Sequence, residues 1–329
     1  MLLNSTRRLV AISAVLLMAV CATAHAQYPN KAIQVAIPFG PGPSDLMARI
    51  TATCLSSRYK QPVVVVNKPG ANGFIGASFI KAAAPDGYTL GFAASTMVTD
   101  LAMGENTSFD VRKDLEPITK IVYGVQGIFI NSELPVQSMA DLVAYAKANP
   151  GKVNYGSVGV GSVNHLATEA LAITTGTNIV HIPYPKGTAA FLTAVMSGEL
   201  QMAMTDVNSA QGMLETGKLK LLAILATQRL PSRPTIPLIP DAVPGMTTYI
   251  GNLWYGYFAP LQTPKEIIDR TYTELRGCLT DEEVRAQFRK VGYEGTQLVA
   301  NRPDEFKASI AEDVVKISDL VKRANIKRQ

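Results

Sequence analysis

Histidine, cysteine and tryptophan are scarce in this 329-residue chain, which carries three, three and one of them. His25 and Cys21 fall within the first 26 residues, which read as an export leader. Arg7 and Arg8 precede an apolar run over residues 9–20, and Ala24-His25-Ala26 has the small-x-small pattern of a cleavage site. A lipoprotein reading of Cys21 is disfavoured by Val20, where a small residue is wanted, so cleavage is expected after Ala26, into the periplasm. His165 and His181 are then the remaining histidines, sixteen residues apart. That spacing is not one at which two imidazoles hold zinc, and there is neither a CxxC nor a Cys/His cluster, so no metal is expected. His165 reads as a packed or capping side chain and His181 as core. A nucleophile elbow is missing too, since residues 156–159 read GSVG rather than GxSxG. The loop GSVGVGS (residues 156–162) has no lysine for a phosphate-binding loop and the wrong glycine spacing for a dinucleotide fold. Acidic pairs such as Asp281-Glu282 and Asp304-Glu305 sit where helices begin, a place the helix dipole favours for acids. An enzyme is therefore not expected, nor a cofactor.

Charge and hydropathy are equally sparing. Losing the leader removes two of 31 Lys and Arg and none of 26 Asp and Glu, leaving a net charge of +3. No basic block is present, which argues against nucleic acid as a partner. No later stretch is long and apolar enough to span a bilayer. Cys54 and Cys278 remain as a disulfide joining distant parts of the chain or as two separately buried thiols, and both readings stand.

What is present is a regular alternation. The first unit starts with a strand, Ile33–Ile37, and a Pro/Gly loop of Gly40, Pro41, Gly42 and Pro43. Ser44 and Asp45 then open a helix that runs to about Tyr59. Free N–H groups at such a helix start receive anions. The run VVVVN (residues 63–67) suits a strand buried on both faces. After a KPGANG turn come a helix (residues 74–84), a strand (88–93), and Ser95 and Thr96 at the start of another helix. This order predicts a parallel, doubly wound sheet with ligands beyond the carboxyl ends of its strands.

A second α/β unit follows. Its loops hold Ser157, Gly161 and Ser162 before a helix at residues 163–175, then Tyr184, and then Asp206 after a strand at residues 200–205. A helix is expected at residues 209–217. The Gly156–Ser162 loop is either a ligand-contacting loop or a plain turn. Five prolines between residues 231 and 244 predict an extended connector, and the C-terminal third reads as helical. Strand passages near residues 122–125 and 252–255 would carry the chain between the two units, making a hinged clamp.

Several stretches together resemble the receptor family of tripartite tricarboxylate transporters, the Bug-type periplasmic solute-binding proteins. They are YPNKAIQVAIPFGPGPSDLMAR, VVVVNKPGANGFIGASFIKAAAPDGYTLGF, FDVRKDLEPIT, YGSVGVGSVNHLA, IPYPKGTAA, MTDVN and WYGYFAPLQTP. The resemblance runs nearly end to end through the mature chain. It implies two α/β domains of type II periplasmic-binding architecture joined by two crossover strands. Residues 27–123 with 253–329 would form one domain and residues 124–252 the other. It further implies a monomer that clamps a small carboxylate and delivers it to membrane carrier subunits; some such proteins report to a sensor instead. The implied pocket consists of Gly40, Pro41, Gly42, Pro43, Ser44 and Asp45, completed by Ser95, Thr96, Ser157, Gly161, Ser162, Tyr184 and Asp206. The family usually writes PGGxxD in the first loop, whereas this chain has PGPSD, one residue shorter, and Pro43 offers no N–H.

Overall fold

The computed structural model describes residues 28–70, 73–104, 108–184, 186–246 and 253–326. The leader with its cleavage point, and the middle of the KPGANG turn, lie outside them.

In the first lobe β1 (Ile33–Ile37), α1 (Pro43–Tyr59), β2 (Val63–Asn67), α2 (Phe74–Lys81) and β3 (Thr89–Ala94) follow one another. Helical crossovers make these three strands parallel, and Val35, Ala36 and Ile37 are wholly buried because helices cover both faces. Next come α3 (Thr96–Ala102), the one-turn α4 (Val111–Asp114) and β4 (Leu115–Tyr123). Gly124 and Val125 then carry the chain into the second lobe.

That lobe contains β5 (Gln126–Asn131), α5 (Met139–Ala148), β6 (Val153–Ser157), α6 (Val163–Thr175), β7 (Ile179–Pro183), α7 (Thr188–Met196) and β8 (Met202–Asp206). A 3₁₀ turn (Val207–Ala210), the one-turn α8 (Gln211–Leu214), β9 (Leu219–Leu225) and the one-turn α9 (Ile239–Ala242) complete it. The helix expected at residues 209–217 is thus two short pieces, because the turn is set by Asp206 capping rather than by periodicity. The proline-rich connector also contains a helical turn, with proline in its first turn.

The chain returns as β10 (Trp254–Pro260), α10 (Lys265–Thr280), α11 (Glu282–Lys290), a 3₁₀ turn (Gly295–Gln297) and α12 (Pro303–Arg323). The strand passage expected near residues 252–255 is the start of β10, which begins at Trp254; residue 252 lies outside the described ones.

The two sheets run β2-β1-β3-β10-β4 and β7-β6-β8-β5-β9. Both are mixed rather than purely parallel: β10 is antiparallel to β3 and β4, and β5 to β8 and β9. These two strands enter each sheet from the opposite lobe, so they run against the strands that begin within it. The crossovers themselves touch, with the Gly124 N–H donating to the Leu253 carbonyl at 2.6 Å.

One face of the first sheet is covered by α1, α10 and α11, through Met47, Leu55, Ile268, Leu275 and Phe288. Cys54 on α1 and Cys278 on α10 form a disulfide there, with Cα atoms 5.9 Å apart, so the separate-thiol alternative falls. On the other face Phe306, Ile310, Val314 and Ile317 of α12 join one apolar cluster with Leu166, Ala170 and Leu171 of α6. The C-terminal helix therefore touches both lobes.

Candidate functional site

The first predicted loop is built differently from its expected capping. Gly42, not Ser44 or Asp45, is the N-cap of α1, Pro43 is its first residue, and no side chain caps it. Proline tolerates that position because its missing N–H would have no helical partner anyway. The first helical bond runs from the Leu46 N–H to the Gly42 carbonyl, leaving the Ser44 and Asp45 N–H groups without an acceptor among the described residues. Gly40 is half-buried, Pro41 and Gly42 are exposed, and Ser44 and Asp45 are buried.

Asp45 is occupied. Arg49 grips its carboxylate with two bonds of 2.8 and 2.9 Å, and the Asn67 amide donates to it at 2.9 Å and to the Phe39 carbonyl at 3.0 Å. The Arg49 bonds hold the Asp45 carboxyl below its usual range, so it stays ionised. Its charge is neutralised within the loop, and together these contacts tie the loop to the end of β2.

At the end of β3, Ser95 joins the helix start to the hinge: its N–H donates to the Trp254 carbonyl at 2.9 Å, and its hydroxyl accepts the Trp254 N–H at 3.4 Å. The Thr96 hydroxyl oxygen beside it is buried without a partner.

In the second lobe the Gly156–Ser162 loop rests on its two histidines. Ser157 is fully buried; its Oγ lies 2.6 Å from His181 Nε2 and accepts the Gly159 N–H at 3.0 Å. His165 Nδ1 accepts the Gly161 N–H at 3.1 Å, and the two imidazoles lie 4.1 Å apart, centroid to centroid. The Ser162 hydroxyl caps α6 by accepting the His165 N–H. Burial, then the neighbouring His181, pushes the His165 imidazole down to about 4, and burial lowers His181 as well. Both are neutral at pH 7. The histidines that read as packing thus shape the loop, a role that their spacing in the sequence does not signal. Ser157 and His181 have the separation of a nucleophile and its base, but no solvent reaches Ser157.

The Tyr184 hydroxyl donates to Glu199 at 2.6 Å, while its N–H donates to the Ser157 carbonyl at 2.7 Å. Its backbone, not its hydroxyl, belongs to the loop cluster.

Asp206 sits at the base, between the crossovers. Oδ1 accepts the Asn208 N–H at 2.9 Å, while Oδ2 is buried and unpartnered. A Cβ built on Gly124 would stand 2.3 Å from that Oδ2, so glycine is required there. Desolvation pushes the Asp206 carboxyl up to about 6 against three backbone N–H contributions. Gln126, directly opposite Asp206 in the β5–β8 register, has a second buried, unpartnered acceptor in Oε1. Sequence reasoning missed Gln126, Gly124 and Met103. Met103, just past α3, packs on Gly161 across the lobes, so that a Cβ there would stand 3.2 Å from the methionine side chain.

Two lobes on paired crossovers, with buried polar atoms unmatched where their strand ends meet, describe a solute clamp. The sequence matches the tripartite tricarboxylate transporter family receptor over residues 47–326. The chain belongs to this family. A UPF0065 protein of Bordetella bronchiseptica is 31% identical over 99% of this chain and 96% of its own length. The solved periplasmic binding protein BugD is 27% identical with a TM-score of 0.71, covering 92% of this chain and 100% of that one. A Rhodopseudomonas palustris protein solved with adipate is 28% identical with a TM-score of 0.74, covering 91% of this chain and 99% of that one. The receptor is accordingly a periplasmic solute-binding protein and not an enzyme.

Proposed function

We propose that the receptor, exported and cleaved after Ala26, captures a small carboxylate between its lobes and hands it, as a monomer, to the membrane carrier subunits of a tripartite tricarboxylate-type transporter. The lobes are residues 27–123 with 253–329, and residues 124–252. The observation that carries this reading is a set of buried polar atoms without partners: Gln126 Oε1 and Asp206 Oδ2 on directly paired residues, and Thr96 Oγ1 at the start of α3. A buried unsatisfied group costs about 1–3 kcal/mol, so these atoms call for a ligand that satisfies them.

In this reading the free N–H groups of Ser44 and Asp45 receive one carboxylate oxygen pair, with the α1 dipole favouring the charge. Gly40, Pro41, Gly42 and Pro43 let the ligand approach that helix end. Ser95, Gly161 and Ser162 line the opposing walls, while buried Ser157 and the Tyr184 backbone hold the second wall in place. Asp206, held protonated up to about pH 6, donates to the ligand below that pH and repels it above. Adipate bound to the Rhodopseudomonas palustris protein supports the ligand class.

The test is calorimetric titration of the mature chain with linear dicarboxylates, adipate included. Saturable binding is expected. Thr96→Val, or one glycine inserted after Gly42, should weaken it by about tenfold, the value of one hydrogen bond to a charged group. Unchanged affinity in both variants would refute the site; no binding across the panel would refute the ligand class.

A further inference from the structure

We propose that a pocket behind the hinge, walled by Lys120, Trp254 and Thr296 of the first lobe and Thr227 and Gln228 of the second, is a second binding site, for a small monocarboxylate. It is separate from the clamp, since neither the first loop, the Gly156–Ser162 loop nor Asp206 lines it. Its volume is about 380 Å³, near the lower end of the ~300–1,000 Å³ usual for ligand pockets.

The strand register places Lys120 on the α12 side of the first sheet. Lys120 pairs with Gly256, whose absent Cβ faces Phe306, and its ammonium stands 5.5 Å from the Trp254 ring and 5.7 Å from the Phe306 ring. Asp313 of α12 attracts that ammonium, yet among the described residues no carboxylate reaches ion-pairing distance; desolvation lowers Lys120 and raises Asp313. A half-buried cation held over aromatic faces, with Asp313 near but not in direct ion-pairing contact, has hydrogen-bonding capacity that an anion completes.

A second observation points the same way. Thr296 Oγ1 is buried and unpartnered, although the neighbouring Thr296 carbonyl is satisfied by the Tyr123 hydroxyl at 3.0 Å. One cation and one spare hydroxyl match one carboxylate. The indole of Trp254 and the side chains of Val299 and Ala226 give the pocket one apolar side for a hydrocarbon body, while Tyr123, Thr227, Gln228 and Asn301 leave the rest polar. Among the described residues that line it, none besides Lys120 is a cation, so one carboxylate is the charge the pocket matches. Because the walls come from both lobes, an occupant binds one lobe angle better than another and so shifts the clamp's equilibrium.

Trp254 is the chain's single tryptophan, which makes the pocket self-reporting. The experiment is to titrate the mature protein with cyclohexanecarboxylate, which is optically silent, and with its uncharged carboxamide, following tryptophan emission. Four forms are compared: wild type, Lys120→Met, Thr296→Val and the clamp variant Thr96→Val. The proposal expects a saturable change in wild type with the carboxylate, much weaker with the amide. Affinity should fall about tenfold or more in Lys120→Met and less in Thr296→Val, with full retention in Thr96→Val. Lys120→Met removes a desolvated charge and keeps the stem, so it should fold; circular dichroism checks this. No saturable response in wild type overturns the site. So does an equal response to the amide, or binding that survives Lys120→Met but is lost in Thr96→Val, which would place the probe in the clamp. The dicarboxylate titration above stands or falls independently of these results.

Discussion

Replacing Asp206 with Asn isolates the cost of the charge at the hinge. The carboxyl is raised from 3.8 to about 6, roughly two units, which at ~1.36 kcal/mol per unit makes the ionised form about 3 kcal/mol less favourable in the fold than in the unfolded chain. For a raised acid the stability is fully present below pH 3.8 and is lost as pH climbs through about 6. Asn keeps the oxygen that accepts the Asn208 N–H and never ionises. The variant should therefore match the wild type near pH 4 and exceed it by up to about 3 kcal/mol above pH 7. His165 and His181 titrate in the same range with the opposite sign, so the quantity to follow is the difference between the two proteins, in which their contributions cancel. Urea unfolding at half-unit steps from pH 4 to 8 measures it. A difference independent of pH, or a variant less stable at pH 8, would refute the reasoning that desolvation governs Asp206.

Two further outcomes follow from the same packing. Cys54→Ala with Cys278→Ala opens a cross-link between residues 224 apart and should lower unfolding stability by about 2–5 kcal/mol, leaving dicarboxylate affinity unchanged because both residues lie on helices of one lobe. His165, depressed to about 4, supplies stability that is present above pH 6.5 and lost as pH falls toward 4; His165→Asn should flatten that slope in a thermal-melting series, and an undiminished slope would remove His165 as its source.

Much of the frame was legible in the residues. The Pro/Gly loop after β1 follows from local rules and stands where they put it. The β-branched run of β2, expected to be buried on both faces, is instead an edge strand with Val64 half exposed, because only β1 pairs with it. Ser162, expected in a ligand loop or a plain turn, caps α6. The misreadings arose where distant residues decide. Ser44 and Asp45 look like caps, but Pro43 shifts the helix start back to Gly42, and Arg49 with Asn67 claims the Asp45 carboxylate. The antiparallel insertion of β10 depends on which lobe the strand arrives from, which no window of sequence carries. The same is true of Gly124, whose need for a bare Cα is set by Asp206, eighty-two positions away. His165 and His181 meet only because β7 lies beside β6.

The place of β10 between β3 and β4 also orders events during synthesis. Until residues 254–260 emerge, the first sheet has a gap at its fourth position and exposes unpaired strand edges on either side of it. The second lobe is one uninterrupted stretch and is complete before that strand appears, so it is the unit free to condense first. The Cys54–Cys278 bond can close only after residue 278 has emerged, and once closed it encloses the whole second lobe in a ring of covalent chain. A protease that nicks any loop of that lobe leaves one molecule, not two.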